Sequence, residues 1–279
     1  MKLTSVQFFA VLFLLTVSYK TLGNDKFTIT WAVNDAPPFH IIGGELQNGG
    51  ICDVLIDAFS ELMPDTHFDT VIMPQSRINM LTKQKQNMCF PCLIKRTDND
   101  VWVYSDVTVY HAPLGIIGKP SVLGAFVDDN GRISLEALTT SKKLRLGKPR
   151  ARRYPEVLQT HIDIAQKART FAEINGEKAT SRVLSQIEVG RIDYTLEYPS
   201  ILKYYNLTNA PEAVEHEPLR YYQTTELAGQ RVAGAVGCTS NAWGKEAVTK
   251  LNQALPHIMA SSIYQQQQAF WYGSPTAAL

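Results

Sequence analysis

The sequence has no excess of charge of either sign. Its 27 Lys+Arg stand against 26 Asp+Glu, so no basic stripe points to nucleic acid or to a bulk membrane surface as a partner. It contains no GxSxG, no HExxH and no Walker loop, which removes the common hydrolase, metalloprotease and P-loop signatures. The six histidines, His40, His67, His111 and His161 among them, lack metal-ligand spacing, so neither a metal nor a cofactor nor a catalytic residue is expected. Cysteine is scarce, with only Cys52, Cys89, Cys92 and Cys238, and the first lies too far from the N-terminus to be a lipidation site. A membrane-spanning run is also missing: the apolar stretch Val6 to Val17 covers about 12 residues, against the roughly 20 a helix needs to cross a bilayer.

That short stretch, with Lys2 before it and Thr21-Leu22-Gly23 after it, reads as an export signal for residues 1–23, cleaved after Gly23. The expected product is a free, soluble, periplasmic monomer of about 256 residues, long enough for two lobes with separate apolar cores. In an oxidising compartment four cysteines allow two disulfides, and all three pairings remain open.

Phe27 to Val33 alternates like a strand and stops at Asn34-Asp-Ala-Pro-Pro38. Cys52 to Met63 places Val54, Leu55, Ala58, Phe59 and Leu62 at helical spacing before Pro64. Thr70 to Met73 and Met88 to Ile94 predict strands around a helix over Arg77 to Lys83, the alternation that a parallel α/β sheet requires. A second set follows: strand Leu144 to Gly147, helices Tyr154 to Ala165 and Ser181 to Val189, and strand Ile192 to Leu196. Leu114 to Pro120, punctuated by Gly115 and Gly118, suits a crossing between lobes. The tail, with a strand over Arg231 to Val236 and a helix over Asn241 to Leu255, is too short for its own core and returns to the first lobe. In such sheets ligands belong at the carboxyl ends of the strands.

Four stretches then resemble the family 3 extracellular solute-binding proteins, the receptors of polar amino acid uptake. They are Asp35-Ala-Pro-Pro-Phe39 with Gly49-Gly-Ile-Cys-Asp53, Ser76 to Leu81 leading to Cys89, Val103-Tyr-Ser-Asp106, and Gly190-Arg-Ile-Asp-Tyr194 with Glu197. The resemblance implies a two-lobed α/β fold of the type II periplasmic binding proteins: lobe one from 24–117 and 222–279, lobe two from 118–221, joined by two crossing strands. It implies a receptor that closes on a small, carboxylate-bearing, amino acid-like solute and presents it to an ABC permease or a membrane sensor. The chain departs from the family where Ala36 replaces the usual aromatic residue, where Asp100 holds the place of the customary ligand arginine, and where Tyr198 follows Glu197. The same fold serves exported cyclohexadienyl dehydratases. An enzyme of that kind, with Glu197 as an acid and a cationic pocket, is the alternative.

Eight residues are the ligand-binding candidates. Arg77 opens a helix, and Arg96 ends a strand, where a guanidinium fork binds carboxylate in two places. Arg150, Arg152 and Arg153, with Lys148, crowd cations between a strand and a helix N-terminus, a placement that asks for an anion. Phe39 and Tyr154 lie in the family-matching loops, and Glu197 ends a strand where it can receive an ammonium or pair with an arginine. Tyr198 and Trp102 are further candidates for lining the pocket. Cys89-Phe-Pro-Cys92 has the CxPC spacing of thiol oxidoreductases but sits in a predicted strand rather than at a helix N-terminus. A structural disulfide from Cys238 to Cys89 or Cys92 is the expectation there.

Overall fold

The structure, a computed structural model, describes residues 26–96, 99–150, 152–176, 178–209 and 217–273. The expected signal segment lies outside the described residues.

The first lobe is built from β1 (Phe27–Val33), α1 (Asp53–Leu62), β2 (Thr66–Ile72), α2 (Gln75–Lys83), β3 (Cys89–Ile94) and β4 (Trp102–His111). The second holds β5 (Gly115–Gly118), α3 (Pro120–Leu123), α4 (Leu135–Ser141), β6 (Leu146–Pro149), α5 (Glu156–Lys167), β7 (Phe171–Ile174), α6 (Ala179–Glu188), β8 (Tyr194–Glu197), α7 (Pro199–Thr208) and β9 (Arg220–Gln223). The chain then returns to the first lobe through β10 (Val232–Thr239), α8 (Ala242–Ala260) and α9 (Ser262–Tyr272).

Two five-stranded sheets result, ordered β2-β1-β3-β10-β4 and β7-β6-β8-β5-β9. This is the expected two-lobed α/β architecture of the type II binding-protein fold. Neither sheet is purely parallel, however. β1 runs parallel to β2 and β3, whereas β10 pairs antiparallel with β3 and β4. In the second sheet β6 is parallel to β7 and β8, and β5 is antiparallel to β8 and β9. The reversed strands β5 and β10 are those through which the chain enters a lobe from the other one. They lack the crossover helix that a parallel pairing demands.

Periodicity explains the local structure. In β5 every residue is buried, and the two isoleucines serve opposite faces: Ile116 packs with Leu146, Leu158 and Ile162, and Ile117 with Val183, Leu184 and Ile187. A Cβ on Gly115 would collide with the Tyr221 ring and the Tyr222 carbonyl, so only glycine fits where the chain enters this sheet. In the first lobe α1 presents Leu55 and Phe59 to the sheet, and Trp31 stacks between Phe59 and Phe68 with ring centroids 5.7 and 5.9 Å away. The long helix α8 covers the same face with Ala247, Leu251, Leu255 and Ile258. Its N-cap is Asn241, whose side chain accepts from the Gly244 amide at 2.7 Å.

The passage between lobes begins after His111, and Gly115 already pairs with Glu197 and Gln223 in the second sheet. The expected boundary at 117/118 therefore falls inside β5. Likewise, the boundary at 221/222 falls inside β9.

Disulfides join Cys52 to Cys92 and Cys89 to Cys238. Cys89 and Cys238 are cross-strand partners in β3 and β10, while Cys52 precedes α1 and Cys92 lies in β3. The two cysteines of the CxPC segment thus bind different partners from within a strand.

Candidate functional site

Both lobes bring loops to the carboxyl ends of their strands. On the first lobe a cleft of about 500 Å³ is lined by Asn34, Phe39, His40, Phe90, Arg96 and Trp102, among others. Asn34 directly follows β1, Arg96 follows β3, and Trp102 opens β4.

One carboxylate sets the shape of the wall formed by the loop after β1. Asp53, in the first turn of α1, accepts from the Ile41 amide at 3.0 Å, the Gly50 amide at 2.9 Å and His40 Nδ1 at 2.8 Å. Negative charge is favoured at a helix N-terminus, so the residue that starts the helix also clamps the loop. The loop closes on itself through a bridge between Ala36 and His40. His40 is 1% exposed, and its other ring nitrogen, Nε2, has no partner among the described residues. The Oδ1 atom of Asn34 is likewise buried and unpartnered.

On the second lobe Glu197, the last residue of β8, is fully buried and gripped by Arg152 in a two-point fork, Nε to Oε1 and Nη2 to Oε2, each at 2.7 Å. Burial pushes the Glu197 carboxyl above the usual range, and the charge and hydrogen bonds of Arg152 pull against that rise. Burial disfavours the Arg152 cation, but the Glu197 carboxylate outweighs it and raises its pKa. The guanidinium also lies over the Tyr198 ring, 5.8 Å from its centroid.

Aromatic side chains join the halves. Phe39 meets Tyr198 edge-on at 6.5 Å between centroids, and His111, at the end of β4, lies 5.6 Å from Phe39 and 6.4 Å from Tyr198. His111 Nδ1 is hydrogen-bonded to the Tyr272 hydroxyl at 2.6 Å, and burial lowers its pKa to about 4. Burial pushes the Tyr198 hydroxyl above its usual range, and the charges of Arg152 and, more weakly, Arg96 pull against that rise. Helix α9 supplies a further link, since Trp271 packs on Tyr204 of α7 and Lys203 hydrogen-bonds to the Phe270 carbonyl.

The eight sequence candidates thus divide. Phe39 and Arg96 line the cleft, as does Trp102. Arg152 and Glu197 come together with each other. Tyr154 turns into the second lobe, its hydroxyl donating to the Leu196 carbonyl at 3.2 Å. Arg150 is 71% exposed and faces Glu173 at 3.6 Å, with Lys148 at 3.7 Å from the same carboxylate. Arg77 and Arg153 are exposed and do not line the cleft. Three of the four cations expected to call for an external anion, Lys148, Arg150 and Arg152, therefore have internal partners in Glu173 and Glu197, which composition could not reveal because they lie on other strands. His40 and Asn34 were not singled out as ligand contacts; their signal was a histidine directly after Pro-Pro-Phe and an asparagine at the end of the first strand.

No protein-family model matches the sequence, and no curated protein does. Solved structures do match in shape. The chain is similar to a probable amino-acid ABC transporter extracellular-binding protein, ytmK of Bacillus subtilis, with a TM-score of 0.64 and 17% identity over 88% of this chain and 97% of that one. The fold is that of extracellular solute-binding proteins. The L-cystine solute receptor of Neisseria gonorrhoeae, solved unliganded and open, superposes with a TM-score of 0.56 at 14% identity, covering 90% of this chain and 95% of the receptor. The VFT2 domain of the Bordetella pertussis sensor BvgS gives 0.57 at 14% identity, with 88% and 93% covered. Among the described residues, no helix is long and apolar enough to cross a membrane.

Proposed function

We propose that this chain is an exported receptor that captures a small solute between its lobes and hands it to a membrane partner. The observation that carries this reading is the two-lobed fold in which Phe39, lining a first-lobe cleft large enough for an amino acid-sized molecule, meets Tyr198 of the second lobe edge-on. Contacts that exist only when both halves meet stabilise the closed form by the difference in ligand affinity between the two states. The similar proteins named above include both transport receptors and a sensor domain, so either a permease or a sensor fits as the partner.

Arg96 is the cation we assign to the solute's carboxylate. It lines the cleft, no carboxylate pairs with it among the described residues, and its planar fork suits a carboxylate. The second lobe contributes Tyr198 and the cation of Arg152, already neutralised by Glu197. The dehydratase alternative loses its acid on this geometry, because Glu197 is fully buried with both oxygens held by Arg152.

Differential scanning of the oxidised protein against a panel of amino acids, carboxylates and small peptides tests the proposal, with small-angle scattering as the readout of closure. A compound that raises the melting midpoint and contracts the molecule supports it. No shift from any member of the panel, together with no contraction, overturns it, and turnover of prephenate or arogenate moves the protein to the enzymes.

A further inference from the structure

Building on the receptor reading, we infer that α9 is a strap between the lobes, which resists their opening and couples that movement to the loop that Asp53 clamps. The helix starts as part of the first lobe. Ser261 caps it by accepting from the Tyr264 amide at 3.3 Å, the Tyr264 hydroxyl donates to the Thr108 carbonyl of β4, and the helix lies against α1 and α8. Its last turn nevertheless meets the second lobe. The ring of Trp271, 3% exposed, lies 6.4 Å from that of Tyr204 on α7. Lys203, also on α7, donates to the Phe270 carbonyl and stands 4.3 Å from the centre of the Phe270 ring. Carbonyls in the last turn of a helix have no partner within it, and that end favours a cation. A lysine of the other lobe meets both needs, so opening the lobes there strips the helix of a cap.

The same turns of α9 hold the loop after β1. Gln267 and Trp271, four residues apart and so on one side of the helix, both donate to the Gly49 carbonyl, the indole Nε1 at 3.0 Å. That carbonyl and the Gly50 amide are opposite ends of one planar peptide. The amide is the one that Asp53 holds at 2.9 Å with Oδ2, while Oδ1 takes His40 Nδ1. A shift of α9 therefore turns a peptide whose other end fixes the loop. There is little slack to absorb the shift, since a Cβ on Gly50 would collide with the Phe39 carbonyl and the Asp53 carboxylate. The Tyr272 hydroxyl is bonded to His111 at the end of β4, where the chain leaves for the second lobe. Between Gln267 and Tyr272 the strap thus reaches the cleft wall, the crossing and the second lobe, three places that move relative to one another when the lobes open.

The test uses no solute, which separates it from the panel that decides the receptor reading. Small-angle scattering of the full, oxidised chain is compared with that of a Lys203→Met/Tyr204→Ala double variant and of Leu207→Ala, an exposed position on the same helix. Only the double variant is expected to expand, with a melting midpoint near the parent's because both replaced side chains are partly exposed. Its Gly50 amide, followed by NMR, is expected to exchange about fivefold faster or more, the scale of one weakened hydrogen bond. Gln267→Leu cuts the tie to the loop but not to α7, so it is expected to speed Gly50 exchange and leave the scattering at the parent's. If the double variant does not fold, Lys203→Met alone is held to the same expectations. Scattering that matches the parent's overturns the strap, and Gly50 exchange unchanged in both variants overturns its coupling to the cleft wall. Either result leaves the receptor reading standing.

Discussion

Arg152, in the loop after β6, and Glu197, the last residue of β8, hold each other at two points across 45 residues of sequence, with the carboxylate completely buried. A buried ion pair adds little over a well-packed apolar pair, yet removing one member strands the other. Arg152→Leu or Glu197→Leu alone should destabilise the protein by about 3–5 kcal/mol, and the double replacement should recover much of that loss. Urea unfolding of the three variants measures it. Single variants within about 1 kcal/mol of the parent would mean that the pair is solvated after all.

His111 gives the fold an acid limit. Its pKa is lowered from 6.5 to about 4 by burial, so the folded state binds the proton less readily than the unfolded one. The contribution is fully present above pH 6.5 and is lost as pH falls from 6.5 towards 4, amounting to about 3 kcal/mol at most. Relative to the parent, His111→Gln should flatten the stability profile in that window. An unchanged acid slope would assign the loss to other groups.

Arg96→Gln should weaken a carboxylate ligand by about 1.5–3 kcal/mol with the melting midpoint of the free protein unchanged. Arg150→Gln should leave affinity alone, since its partner is Glu173. A reversed ranking in calorimetry would return the anion to the loop after β6.

The disulfides close spans of 40 and 149 residues. On chain-entropy grounds their removal should cost up to about 4 and about 5 kcal/mol respectively. Replacing each pair by alanine and comparing denaturant midpoints checks the order.

Much of the fold could be read in the sequence because apolar spacing encodes it directly. Val54, Leu55, Ala58 and Phe59 announce α1, and the buried run of β5 announces a strand covered on both faces. Helix α9 was not legible: its four glutamines interrupt any stripe, and only Tyr264 and Trp271 are buried along it. Strand β4 was hidden by Ser105 and Asp106 in its middle, where the Ser105 hydroxyl serves the sheet by accepting from the Val236 amide. The site was less legible than the fold. The types and positions of the cations were plain, but their partners were not, since Glu173 and Glu197 reach Arg150 and Arg152 only through sheet order. His40 gains its meaning from Asp53, 13 residues on, and no spacing rule links the two.

Cys92 belongs to the cleft wall as well as to a disulfide. Protein produced in a reducing cytosol would therefore lack a covalent tie in the wall of the cleft proposed to take the ligand, beside the loop clamped by Asp53. Screens run on such material would sample a loosened pocket and under-report affinity. The history of the sample's thiols thus belongs among the variables of any ligand search.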